Sequence, residues 1–125
     1  MSKILNMLMA FVMSFGISGS NVNPSDIPEN SNFEVHFIDV GQADSALIEC
    51  DGETMMIDGG NVADSNVVAA YLKKEDVTEL NYVVCSHAHE DHVGGLSGAL
   101  SVTKADNIYA PKTKANTKAY KNFKK

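Results

Sequence analysis

Three of the four histidines in this chain fall within one hexapeptide, His87-Ala88-His89-Glu90-Asp91-His92. Residues two apart in extended backbone point to the same side, so His87 and His89 can present their imidazoles to one cation. Asp91 and His92, one step further on, would be turned toward a second position as the chain tightens. Imidazole nitrogen and carboxylate oxygen are donors that suit Zn2+, with Mn2+ or Fe2+ as substitutes. Two such ions side by side would lower the pKa of a shared water and supply a hydroxide near neutral pH. They would also act as Lewis acids for a substrate's developing charge. The competing reading, histidines satisfied by ordinary hydrogen bonds in a loop, does not account for the His-x-His-x-Asp-His spacing. The fourth histidine, His36, lies in a strand-like run and reads as a sheet residue.

The elements that must position the hexapeptide are legible from pattern. Phe33 to Val40 reads as a strand, with Phe33, Val35 and Phe37 on one side and Glu34, His36, Ile38 and Val40 on the other. A turn at Gly41-Gln42-Ala43 leads into a second strand, Ser45 to Cys50. Asp51-Gly52 is a two-residue hairpin signal that opens a third strand, Thr54 to Ile57. Tight connections make these three antiparallel neighbours. Asp58-Gly59-Gly60-Asn61 closes the third strand in a loop. Apolar residues at helical spacing then predict a helix over 65–74, with Asp64 or Ser65 as its cap. Leu80 to Cys85 is a short apolar run of the buried-strand type, and it delivers the chain directly into Ser86-His87. A helix through Leu96 and Leu100, a strand from Asn107 to Ala110 and a helix from Asn116 to Lys125 complete the order. Alternating strands and helices point to an α/β (α+β) sheet with helices packed on it.

Bulk properties narrow the class. The 125 residues suffice for one domain, and 44% hydrophobic content suits a packed core. The formal charge of −6 argues against a general attraction to nucleic acid. All sixteen carboxylates lie between Asp26 and Asp106, while six of the ten lysines lie from Lys112 onward. That basic tail reads as a solvated helix face. Cys50 and Cys85 each end an apolar run and read as core residues. Export would leave a disulfide between them open. Lys3, the apolar run from Ile4 to Ile17 and the small residues Ser18-Gly19-Ser20 have the three-part pattern of a secretory signal peptide over 1–20. The run is too short for a stable membrane span. Residues 21–32, with two prolines, read as a linker, and the folded domain is expected over 33–125. A secreted or extracytoplasmic location follows.

His87-x-His89-x-Asp91-His92 followed by Val93-Gly94-Gly95-Leu96 resembles the signature of the metallo-β-lactamase superfamily. Upstream, Phe37-Ile38-Asp39-Val40-Gly41-Gln42-Ala43-Asp44-Ser45 is similar to a phrase of the branch containing the hydrolase domain of ComEC-type competence proteins. Ala43 replaces the glycine more usual there. Ile57-Asp58-Gly59-Gly60 resembles the superfamily's first motif. The resemblance implies an αββα sandwich. It assigns His87 and His89 to a first metal, and Asp91 and His92 to a second. Asp91 would also orient the nucleophilic water as a catalytic residue. Asp58 would hold the loop and a ligand histidine in orientation; read from residues alone, it serves equally well as a turn aspartate. Asp39, Gln42 and Asp44 read as residues that shape the turn, and Glu90 as solvated.

The superfamily's remaining ligands, two further histidines and a bridging aspartate, come from its second half. This sequence has no histidine after His92. It therefore reads as the N-terminal half of the sandwich, a truncated form expected to be weakly active or inactive. Its open sheet face would invite self-association. The expected chemistry is metal-dependent hydrolysis of phosphodiester or nucleic-acid substrates. Lactam or ester hydrolysis is the rival within that class. A non-catalytic metal-binding or protein-interaction module is the rival outside it.

Overall fold

The structure, a computed structural model, describes residues 32–113 and 115–124. The expected signal peptide over 1–20, and the expected linker apart from Asn32, lie outside the described residues. Among the described residues, no helix is long and apolar enough to cross a membrane.

Five strands form one sheet in the order β1 (Phe33–Phe37), β2 (Ala46–Cys50), β3 (Glu53–Ile57), β4 (Glu79–Val84) and β5 (Lys104–Tyr109). The first three are antiparallel, as tight connections require. Asp51 and Gly52, the two hairpin residues, both take positive φ (49° and 86°). That is the mirror-type turn whose twist matches the flanking strands. From β3 to β4 and from β4 to β5 the pairing is parallel, so each step needs a crossover. The first crossover is a 3-10 turn, Val62–Asp64, followed by α1 (Ser65–Lys74). The second contains α2 (Glu90–Val93) and α3 (Leu96–Val102). A last helix, α4 (Lys118–Phe123), is opened by Thr117, whose hydroxyl accepts from the Tyr120 N–H at 3.2 Å.

All these helices share one core with the sheet. Leu47, Met56, Leu80 and Val83 from the strands meet Val68 and Leu72 of α1, Leu96 and Ala99 of α3, and Tyr120 and Phe123 of α4. Each large side chain so buried contributes about 1.5–3 kcal/mol. The second apolar cluster is smaller. It holds Ile48, Cys50 and Met55, with Ile57, Tyr82 and Val84 against it. Phe33, Val35 and Phe37 stay 37%, 41% and 85% exposed, so among the described residues no layer covers β1 on that side. Ile38 and Val40 enter the main core after the β1 ladder has already ended at Phe37.

Several boundaries differ from the sequence expectation. β5 begins at Lys104, three residues earlier than its apolar pattern suggests, because backbone pairing with β4 extends over exposed side chains. Neither Asp64 nor Ser65 caps α1 through its side chain. The Asp64 carboxylate instead accepts from the Asn61 N–H at 2.8 Å, and the Ser65 hydroxyl donates to the Val62 carbonyl. Cys50 and Cys85 are buried thiols in different clusters, as core packing predicts.

Candidate metal centre

β4 ends at Val84, and the next residues carry the chain across the mouth of the sheet into the hexapeptide. His89 stands at the N-cap of α2 in extended conformation (φ −70°, ψ 149°), and helical winding starts at Glu90. The winding swings His92 back over His87, with ring centroids 3.9 Å apart. Ligand atoms of His87, Asp91 and His92 all lie within 4.8 Å of one another. His89 stands beside this set, its ring 4.8 Å from that of His87 and edge-on to it. The turn into α2 falls between His89 and Asp91 and ends the two-residue periodicity, which is what brings Asp91 and His92 back toward His87. Glu90 is exposed, as expected of a solvated position.

Asp58 ties the centre together from the end of β3. It is 3% exposed and takes a left-handed conformation (φ 55°). Its carboxylate accepts from the Ser86 N–H at 2.8 Å and the Ser86 hydroxyl at 2.5 Å, and it lies 2.8 Å from His92 Nδ1. The last contact leaves His92 Nε2 for a cation, as outer carboxylates do for ligating histidines. Ser86 in turn places its hydroxyl 3.0 Å from His87 Nδ1. The Asp58–Ser86 unit therefore touches both of these closely packed imidazoles. The role of Ser86 has no sequence signal, since a lone serine before a histidine is commonplace.

The neighbouring backbone is stitched to the same loop. The Gly59 N–H donates to the His92 carbonyl at 2.7 Å, and the Gly95 N–H to the Gly60 carbonyl at 3.0 Å. A Cβ on Gly95 would stand 1.8 Å from the Gly59 carbonyl oxygen, so only glycine allows this approach. The 39–45 turn packs alongside. The Gly60 N–H donates to the Asp44 carbonyl at 2.9 Å, and the Asp44 carboxylate lies 3.7 Å from His92 Nδ1. Gly41 supplies a positive φ of 67° in that turn, and its N–H donates to the Asp39 carboxylate at 3.1 Å. Cys85 donates its thiol to the His87 carbonyl at 3.0 Å. Burial, aided by the nearby Asp58 charge, pushes that thiol up to about 11, so it remains protonated at neutral pH.

Two imidazoles and a carboxylate, one imidazole fixed through its far nitrogen, form a donor set that fits zinc or a similar divalent ion. The family model of the Metallo-beta-lactamase superfamily matches residues 38–120. Solved structures agree. A metallo-beta-lactamase, SMB-1, bound to 2-mercaptoethanesulfonate superposes with a TM-score of 0.51 at 27% identity, over 58% of this chain and 29% of that one. SMB-1 in complex with mercaptoacetic acid gives 0.52 at 25% identity, over 64% and 33%. A comparison with curated proteins returns no match. The chain belongs to the metallo-β-lactamase superfamily, and its five-stranded sheet with packed helices is part of that fold. It spans about a third of the length of the structures it matches.

Proposed function

We propose that this chain carries the first group of metal ligands of a metal-dependent hydrolase acting on phosphodiester or nucleic-acid substrates. The observation that carries the reading is the convergence of His87, Asp91 and His92 at the end of β4, with Asp58 behind His92. A divalent ion bound there supplies Lewis acidity and lowers the pKa of water. The chain's own residues do the positioning. His87 and His92 offer ring nitrogens, with His89 poised beside them. Asp91, with its side chain 44% exposed, faces solvent from which water and substrate arrive. Asp58 and Ser86 hold the His92 and His87 rings in place.

The phosphodiester preference rests on the likeness of Phe37–Ser45 to the competence-protein phrase, and we extend the same likeness to an extracytoplasmic location. The sequence offers no histidine beyond His92, so these 125 residues by themselves turn over slowly or not at all. A substrate panel with the zinc-loaded chain tests both parts. Turnover, where present, is expected on a phosphodiester reporter and not on a lactam, and is expected to vanish in His92→Ala. Lactam turnover, or turnover indifferent to His92→Ala, contradicts the reading. Brisk phosphodiester cleavage that disappears in His89→Ala overturns the claim of incompleteness.

A second reading, a non-catalytic module that pairs through its sheet, is favoured by the exposure of Phe33, Val35 and Phe37 beside the small apolar cluster. Self-association without turnover is its expected signature.

A further inference from the structure

The opposite edge of the helix-covered face holds another group of potential ligands, on β1 and β2. Glu34 and Glu49 are direct cross-strand partners, and His36 lies two residues along β1 on the same face. Like charges directly opposed across a strand pair are destabilising unless something compensates them. The ligand atoms of Glu34, His36 and Glu49 all lie within 4.8 Å of one another. His36 Nδ1 is held at 2.9 Å by the Tyr71 hydroxyl of α1, which fixes the ring and turns Nε2 toward the two carboxylates. Nε2 is itself shielded from solvent and makes no aligned hydrogen bond, although Glu49 Oε2 lies 3.1 Å away and Glu34 Oε2 3.6 Å. Ligand atoms about 2.0–2.2 Å from a tetrahedral zinc stand roughly 3.3–3.6 Å apart, so these separations are close to those of a ligand shell around one ion.

We propose that Glu34, His36 and Glu49 form a second divalent-cation site, independent of the hexapeptide, that binds zinc and clamps the edge strand to the sheet. Three protein donors with the fourth position open to water is an ordinary zinc arrangement, and Tyr71 plays the part of the outer group that orients the histidine. Among the described residues β1 is an edge strand paired only with β2, so a cation shared between Glu34, His36 and Glu49 cross-links that edge to the sheet. The competing state is an imidazolium on His36 neutralised by the same carboxylates, with no metal. The two differ in what zinc does.

The test is a zinc titration of the full chain, followed through the ring nitrogens of His36 in long-range proton–nitrogen NMR spectra. His36 Nε2 is expected to shift on loading. Glu49→Gln and Glu34→Gln are each expected to weaken that response at least tenfold in zinc concentration. Tyr71→Phe should weaken it by about tenfold, the low end for loss of an outer partner. The same titration on a His87→Ala, His89→Ala, His92→Ala variant should raise the melting temperature through this site alone. Should that variant not fold, the ring nitrogens of the parent chain still give the answer. His36 resonances unmoved by zinc that has already shifted His87 and His92 would overturn the proposal. So would a response equally strong in Glu49→Gln.

Discussion

Gly95→Ala is expected to lower the melting temperature by more than about 12 °C, or to prevent folding. The added methyl would sit 1.8 Å from the Gly59 carbonyl oxygen and 3.2 Å from that of Asn61. Both obstacles are main chain, so no side chain can rotate aside. Overpacking commonly costs about 1–3 kcal/mol even where side chains yield. A backbone-on-backbone clash lies at or above the upper end of that range. A cost of about 3 kcal/mol in a domain of this size corresponds to that temperature shift. The Gly95 N–H also donates to Gly60, so retreat from the clash would break the stitching that holds the Asp58 loop against α2. Gly41→Ala is the control. Its Cβ meets nothing within 4 Å, but φ is +67°, so the cost is only the left-handed strain of about 1–2 kcal/mol. Thermal unfolding followed by circular dichroism separates the two. A Gly95→Ala protein that melts within about a degree or two of the parent would show that the Gly59–Gly95 contact has room for a methyl group.

Asp58→Ala has the second largest expected effect, and it divides between stability and metal affinity. The substitution leaves the Ser86 N–H without its acceptor, at a cost of about 1–3 kcal/mol. It also puts alanine at φ 55°, a region that aspartate and asparagine tolerate better. Loss of the 2.8 Å contact to His92 Nδ1 frees the ring to turn, and outer partners of this kind are worth about 10–100-fold in metal affinity. Asp58→Asn isolates that second part, because asparagine keeps the backbone conformation and an acceptor for Ser86. Its melting temperature should stay near that of the parent while zinc affinity falls by about tenfold or more. Calorimetric zinc titrations of the two variants check this. Unchanged affinity in both would reduce Asp58 to a turn residue.

Asp58 shows where sequence reading stops. Its position before Gly59-Gly60 marks a turn, but its triple engagement with Ser86 and His92 joins residues from two strand ends and depends on the parallel pairing of β3 with β4. The local features were legible. Asp51-Gly52 specifies its hairpin through backbone sterics alone, and the apolar spacing from Val67 to Leu72 marks α1. Elements whose side chains carry little pattern were harder to bound. Lys104, Ala105 and Asp106 join β5 because β4 offers unpaired backbone, which composition does not record. The hexapeptide announced metal chemistry plainly. Which donors meet was decided by the helical turn that begins at Glu90, and that turn brings His92 over His87. The Gly94-Gly95 pair likewise signals close packing in sequence, but the Asn61–Val62 and Gly59 main chains it meets are known only from the fold.

Zinc K-edge absorption on the Glu49→Gln chain loaded with one equivalent of zinc tests the hexapeptide as a metal centre, since the second proposed site is then weakened. The expected result is a shell of nitrogen and oxygen at about 2.0–2.1 Å with imidazole scattering, lost when His87→Ala and His92→Ala are added. A sulfur shell at about 2.3 Å, or zinc held as tightly without those two histidines, would contradict it.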